Sequence, residues 1–212
     1  MLRNFLQHLL HLLLIRDKMQ QLLQIEGIME LKWLMFCPVL PATPSSPRVT
    51  VWRRMRSAGA ASLDNGLWLL PNSASAVDFI REMQTYVGDQ GGSSKTFYSD
   101  AFDEATQREI LNRFQQDRAA EYGELQEQCA DFLKEIEKET QRQNFSFAEY
   151  EENEEDLNKL EAWLAKIQRR DFLGSDQANA TAAKLEQCRT ALQQFAAEIF
   201  AREETKSTAS EN

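Results

Sequence analysis

The sequence contains little histidine and no cysteine pair with the spacing that a metal site or a disulfide framework needs. Both histidines, His8 and His11, lie near the N-terminus, so the remaining chain has no imidazole for acid–base catalysis or metal binding. Cys37, Cys129 and Cys188 are odd in number, far apart and outside any C-x-x-C motif. This pattern favours a reducing compartment. We therefore expect a cytoplasmic protein that is not an enzyme and uses no cofactor or metal.

The chain also lacks a long apolar run and the common nucleotide-binding and hydrolase motifs. The leucine-rich segment 1–28 has an apolar run too short to span a bilayer and no small-residue cleavage site. It predicts either an added amphipathic helix or a start assigned too early, with Met29 as the natural first residue. No Walker loop, G-x-G-x-x-G or G-x-S-x-G motif is present. We expect no membrane partner.

Positive charge is scarce overall and unevenly distributed. The formal net charge is −9, yet residues 31–65 contain five Lys or Arg and one acid, whereas residues 103–212 contain 14 Lys or Arg and 25 Asp or Glu. An anionic partner would be repelled by most of this chain. Any contact with DNA must therefore be local, through the basic segment.

The first part of the chain has the pattern of a strand, a helix and a hairpin. The apolar run 31–40 predicts a buried strand, and a helix follows that begins at Ser45 or Ser46 and ends at Gly59. The dipeptide Asn65-Gly66 predicts a tight turn between two short strands. The predicted buried face of the helix is formed by Val51, Trp52, Met55 and Ala58.

A second helix and a fourth strand complete this region. Ser75-x-x-Asp78 resembles a capping box, and the segment SKTFYSDA predicts a strand. The resulting order of strand, helix, strand, strand, helix, strand is the split βαβ arrangement, in which both helices cover one face of a four-stranded sheet. Residues 29–102 are therefore predicted to form a ferredoxin-like α+β domain.

After residue 102 the apolar residues follow a long helical periodicity. Three apolar stripes repeat every three or four residues over residues 103–204 and predict an antiparallel three-helix bundle. Gly123 is expected to loosen the first of these helices midway. Residues 205–212 are polar and predict a disordered tail.

The basic segment concentrates its charge in the first predicted helix, at Arg48, Arg53, Arg54 and Arg56. The helical spacing places these arginines away from the centre of the buried face, and Arg48 lies in the first turn, where free N–H groups favour an anion. Guanidinium groups suit phosphate because they offer planar, bidentate hydrogen bonding. The alternative is a solvated helix face, or a basic surface that packs on the acidic bundle.

A run of acids, by contrast, indicates a helix start rather than a cation site. The run lacks the glycine and the alternating spacing of a calcium loop. It begins where a helix is predicted, and acids are favourable near the positive end of the helix dipole. Its members are Glu149, Glu151, Glu152, Glu154, Glu155 and Asp156.

Two long stretches of the chain are KWLMFCPVLPATPSSPRVTVWRRMRSAGAASLDNGLWLLP and NFSFAEYEENEEDLNKLEAWLAKIQRRDFLG. They resemble the N-terminal domain family of ChrB, a chromate resistance regulatory protein, and the resemblance extends from about residue 31 to about residue 202. The first stretch is also similar to the middle domain of PaaX-type repressors. The resemblance implies a chromate-responsive repressor of a chromate-efflux operon.

In this interpretation Arg48, Arg53, Arg54 and Arg56 contact DNA phosphates and the acidic bundle supplies dimerisation or signal coupling. Arg169 and Arg170 of the RRDFLG motif are candidates for binding the chromate oxyanion; alternatively they only pair with the helix C-terminal dipole. A second interpretation is an interaction module without DNA binding that acts with a separate ChrB C-terminal domain. The sequence is also compatible with a homodimer.

Overall fold

The structure, a computed structural model, describes residues 32–210 except 64, 65 and 102, with side chains as far as residue 204. Two compact units make up the chain, the first ending at Phe114 and the second beginning at Gln115. The predicted extension 1–28 and Asn65 of the predicted turn lie outside the described residues. The predicted domain boundaries at 29–102 and 103–204 stay predictions.

The first unit contains a four-stranded antiparallel sheet with two helices. Its strands are β1 (Trp33–Val39), β2 (Ala61–Ser62), β3 (Trp68–Pro71) and β4 (Ser93–Ser99), and its helices are α1 (Ser46–Ser57) and α2 (Ala74–Asp89). The strand order in the sheet is β2-β3-β1-β4, and all neighbours are antiparallel. This topology confirms the predicted split βαβ fold.

Both helices bury their apolar stripes against one face of the sheet. The register places Leu34 opposite Leu70 and Phe36 opposite Trp68, and residues paired across antiparallel strands share a face. Their side chains form one buried cluster with residues of α1 and α2. The helical members of the cluster are Val51, Met55, Ile80, Met83 and Val87.

The opposite face is covered at Trp33 by the start of a third helix, α3 (Glu104–Gln141). Trp33 is 1% exposed, its indole Nε1 donates to Gln107 Oε1 at 2.8 Å, and its ring stacks on Phe114 at 5.3 Å between centroids. Burying the indole is favourable because its N–H finds an acceptor. The first turns of α3 therefore belong to the core of the first unit.

Two local predictions are wrong. Trp52 is exposed, because the buried stripe of α1 follows Pro47, Val51 and Met55 at four-residue spacing and Trp52 lies beside it. The N-cap of α2 is Ser73, not Ser75, because Ser73 is the residue in extended conformation and its hydroxyl accepts from the Ala76 N–H at 3.2 Å.

The second unit is a bundle of three helices, formed by the rest of α3, α4 (Phe147–Arg170) and α5 (Asp176–Ser210). Gly123 does not interrupt α3, since the packing of Tyr122 and Leu125 outweighs its low helix propensity. α5 continues into the predicted tail 205–212, where no glycine or proline stops it. The most deeply buried residues of this core are Tyr122, Leu125, Cys129, Ile167 and Cys188.

Candidate nucleic-acid interface

Helix α1 carries the arginine cluster, and its ends follow from the sequence. Pro47 lies in the first turn, where its missing N–H costs nothing, and Gly59 follows the last turn with a φ of +79°. The backbone N–H of Ala58 donates to the Arg54 carbonyl at 2.9 Å. Between these limits no glycine or proline interrupts the helix, so four arginines are held on a rigid element.

All four arginines lie outside the buried stripe of α1. Arg48, Arg53 and Arg54 are exposed and Arg56 is half-buried. The helix contains no acidic residue, so its own surface offers no charge to neutralise the cluster. Arg54 and Arg56 lie in the last turn, where cations also favour the helix C-terminal dipole.

Arg48 and Arg54 make contacts that position α1. Arg48 Nη1 donates to the Pro41 carbonyl at 3.2 Å, and the Arg54 guanidinium lies 4.7 Å from the centre of the Tyr86 ring on α2. Such stacking leaves the in-plane N–H groups of an arginine able to bind an oxyanion. Within the described part of the chain, Arg53 has no ion-pair or hydrogen-bond partner.

An apolar patch lies among the arginines, and sequence reasoning missed it. Val49 is 43% exposed and Trp52 is 55% exposed. Together with Arg53 and Arg56 they occupy positions i, i+3, i+4 and i+7, which form one face of a helix. The outward face of α1 therefore combines cationic and aromatic side chains.

The second predicted pair, Arg169 and Arg170, does not form a common binding site. Arg169 is exposed, and its Nε donates to the Ala165 carbonyl of its own helix at 3.2 Å. Arg170 is mostly buried, and its Nη2 contacts Glu121 Oε2 at 3.0 Å. The same carboxylate oxygen lies 3.1 Å from the buried Arg118 Nη1. Arg170 is thus engaged inside the second unit, and the two predicted oxyanion-binding residues have different surroundings.

Asp171 of the same motif fixes the connection between α4 and α5. Its carboxylate accepts from the Tyr122 hydroxyl at 3.0 Å and from the backbone N–H groups of Gly174 and Ser175 at 3.1 and 2.9 Å. Burial, followed by this hydrogen bond, raises the pKa of Tyr122 to about 12. Sequence reasoning missed the hydrogen bond between Tyr122 and Asp171, which lie 49 residues apart in the chain.

The acidic run lies in the first turns of α4 and follows the predicted helix start. Ser146 is the N-cap, and its hydroxyl accepts from the Glu149 N–H at 3.3 Å. Among the described residues, no group of three or more His, Cys, Asp or Glu side chains is arranged so that it could hold a metal ion.

Burial raises the pKa of the thiols of Cys129 and Cys188, so neither is activated as a nucleophile.

The fold and this surface define a class of protein: a split βαβ domain whose first helix is strongly basic, followed by an acidic three-helix bundle. The family model "Protein ChrB, N-terminal" matches residues 48–206. The chain therefore belongs to the ChrB N-terminal family, which confirms the resemblance seen in the sequence.

A curated relative gives the extent of the similarity. Protein ChrB of Cupriavidus metallidurans is 30% identical over 95 residues, which are 45% of this chain and 29% of that protein. The matched segment thus spans less than a third of the relative. No solved structure matches. In the described residues, none of the helices has both the length and the apolar character that crossing a membrane requires.

Proposed function

We propose that this protein regulates transcription in chromate resistance and binds DNA through the arginine cluster of α1. The observation that carries the proposal is the concentration of four arginines, with no acid, on a twelve-residue helix of a chain whose net charge is −9. Membership of the ChrB N-terminal family supports the regulatory part. Chromate as the effector is carried over from the sequence resemblance.

Charge distribution limits how DNA can be bound. A phosphate backbone attracts Lys and Arg and is repelled by acidic surfaces, and the acids of this chain are concentrated after residue 102. Contact is therefore confined to the surface around α1. Phosphate contacts position a protein without reading sequence, so a repressor that uses this cluster needs a further contact for specificity.

Substitution of Arg53 tests the proposal, because this side chain is exposed and has no ion-pair or hydrogen-bond partner among the described residues. Losing one phosphate contact should reduce the salt slope of DNA binding, d log K/d log[salt], by about one unit. Fluorescence anisotropy of Arg53→Ala with a labelled duplex at several salt concentrations measures the slope. Arg81→Ala is the control, since Arg81 is also exposed but pairs with Asp78 at 3.0 Å. An unchanged slope and affinity in Arg53→Ala would contradict the assignment.

The second candidate is an interaction module that acts with a ChrB C-terminal domain and does not bind DNA. The observation that favours it is the formal net charge of −9, which repels the DNA phosphate backbone from most of the chain. Co-purification with a separately expressed C-terminal domain, together with no retention on DNA, would support this function over the first.

A further inference from the structure

The most exposed tryptophan of the described chain lies inside the arginine cluster. Trp52 is 55% exposed, whereas Trp33 is 1% and Trp68 is 5% exposed, and Trp163 is half-buried. Its neighbour Val49 is also exposed. Single exposed apolar residues are common, but an aromatic and an aliphatic side chain on one helix face form a contiguous patch. Aromatic residues of this kind are characteristic of binding surfaces.

The spacing along α1 places this patch between cations. Arg48, Trp52 and Arg56 follow one another at intervals of four residues, so they form a row on the helix surface. Arg48 and Arg56, the ends of the row, lie about 12 Å apart along the helix axis. The major groove of B-DNA has a similar width, about 12 Å. Trp52 lies midway between the two arginines.

The surroundings favour DNA over other anionic partners. A membrane surface would be bound by a helix with a broad apolar face, but α1 exposes only Val49 and Trp52 as large apolar side chains and buries its main stripe in the core. An indole flanked by guanidiniums suits a partner that presents phosphates beside apolar surface. Duplex DNA has this combination in its grooves, where sugars and thymine methyl groups lie between the phosphates.

We infer that Trp52, supported by Val49, makes the uncharged contact of this protein with DNA. The indole packs against base and sugar edges in a groove, and the arginines on either side hold the flanking phosphates. This inference rests on the proposed DNA binding and assigns to Trp52 the contact that is independent of salt. Arginine contacts with phosphate release counterions, whereas packing of an indole does not.

The two kinds of contact can be separated by titrating the full chain with duplex DNA at several salt concentrations. Trp52→Ala should weaken binding about fivefold to a hundredfold at every salt concentration without changing the salt slope, because it removes the burial of a large apolar side chain. Arg53→Ala should reduce the slope instead. Trp52→Phe, which keeps an aromatic ring, should recover most of the affinity. Phe97→Ala is the control, because Phe97 is 52% exposed in the same unit but lies on β4.

A second readout does not depend on the stability of the alanine variant. Acrylamide, a neutral quencher, should reach Trp52 more readily than the buried Trp33 and Trp68. Adding DNA should protect this accessible fraction of the fluorescence in the wild-type protein, and the protected fraction should be absent in Trp52→Phe.

The outcomes distinguish this inference from the proposed function. If Trp52→Ala binds like the wild type while Arg53→Ala loses slope, the inference is wrong and DNA binding stands. If Trp52→Ala loses slope as well, Trp52 acts by positioning arginines and the inference is overturned. If the wild type binds no duplex but binds vesicles containing phosphatidylglycerol, both the inference and the proposed function are wrong.

Discussion

Replacing Asp171 with alanine removes the carboxylate that joins the α4–α5 connection to α3. The side chain accepts three hydrogen bonds of 2.9–3.1 Å, one from Tyr122 and two from the backbone of Gly174 and Ser175. Tyr122 is fully buried in the wild-type protein, so its hydroxyl would lose this acceptor in the variant. The two backbone N–H groups lie nearer the surface, where water can replace the carboxylate.

The expected cost follows from this difference in exposure. A hydrogen bond to a charged acceptor contributes about 1.5–3 kcal/mol when its loss leaves a buried donor, and loss of the turn contacts adds about 0.5 kcal/mol, at the low end for capping interactions. The free energy of unfolding should therefore fall by about 2–3.5 kcal/mol. Urea denaturation followed by circular dichroism measures this change.

A double-mutant cycle tests whether the reasoning identifies the right contact. Combining Asp171→Ala with Tyr122→Phe should cost less than the sum of the two single changes, with a coupling energy of about 1 kcal/mol or more. Asp171→Asn, which keeps the shape and one acceptor oxygen, should fall between the wild type and the alanine variant. A loss below about 0.5 kcal/mol for Asp171→Ala, or full additivity with Tyr122→Phe, would refute this account.

Two further predictions concern buried groups of the second unit. The pKa of Tyr122 is raised from 10.0 to about 12, so the unfolded chain releases this proton at lower pH than the folded protein does. The free energy of unfolding should therefore fall between these two pH values. Tyr122→Phe should show a smaller fall, and equal pH dependence in the two proteins would contradict the raised pKa. Because Cys129 and Cys188 are fully buried with raised thiol pKa values, they should react with Ellman's reagent only as fast as the protein unfolds, and rapid reaction of all three thiols in the native protein would exclude this.

Local pattern predicted the fold well because each signal lies within a short segment. The apolar run of β1, the helical spacing in α1 to α5 and the glycine after α1 are each set within a few residues. Trp52 shows the limit of this reasoning. Both Val51 and Trp52 are apolar, and the residue that enters the core is decided by packing of α1 on the sheet rather than by hydrophobicity alone.

The contacts of the RRDFLG motif could not be predicted from periodicity. Arg170 and Asp171 bind Glu121 and Tyr122, which lie on another helix 49 residues earlier in the chain. A helical pattern predicts which face is buried but not which residues of two helices meet, since that depends on how the bundle packs. The sequence motif singled out these residues, but their contact partners could be identified only from the structure.

The most direct test of the central claim is the affinity of the wild-type protein for duplex DNA from upstream of its own gene, measured by fluorescence anisotropy across several salt concentrations, with and without chromate. If the arginine cluster of α1 contacts phosphates, log K should fall with log[salt] with a slope between about −2 and −4. Chromate should release the DNA if it is the effector. Absence of binding at low salt would contradict the account and leave the arginines as a surface for another partner.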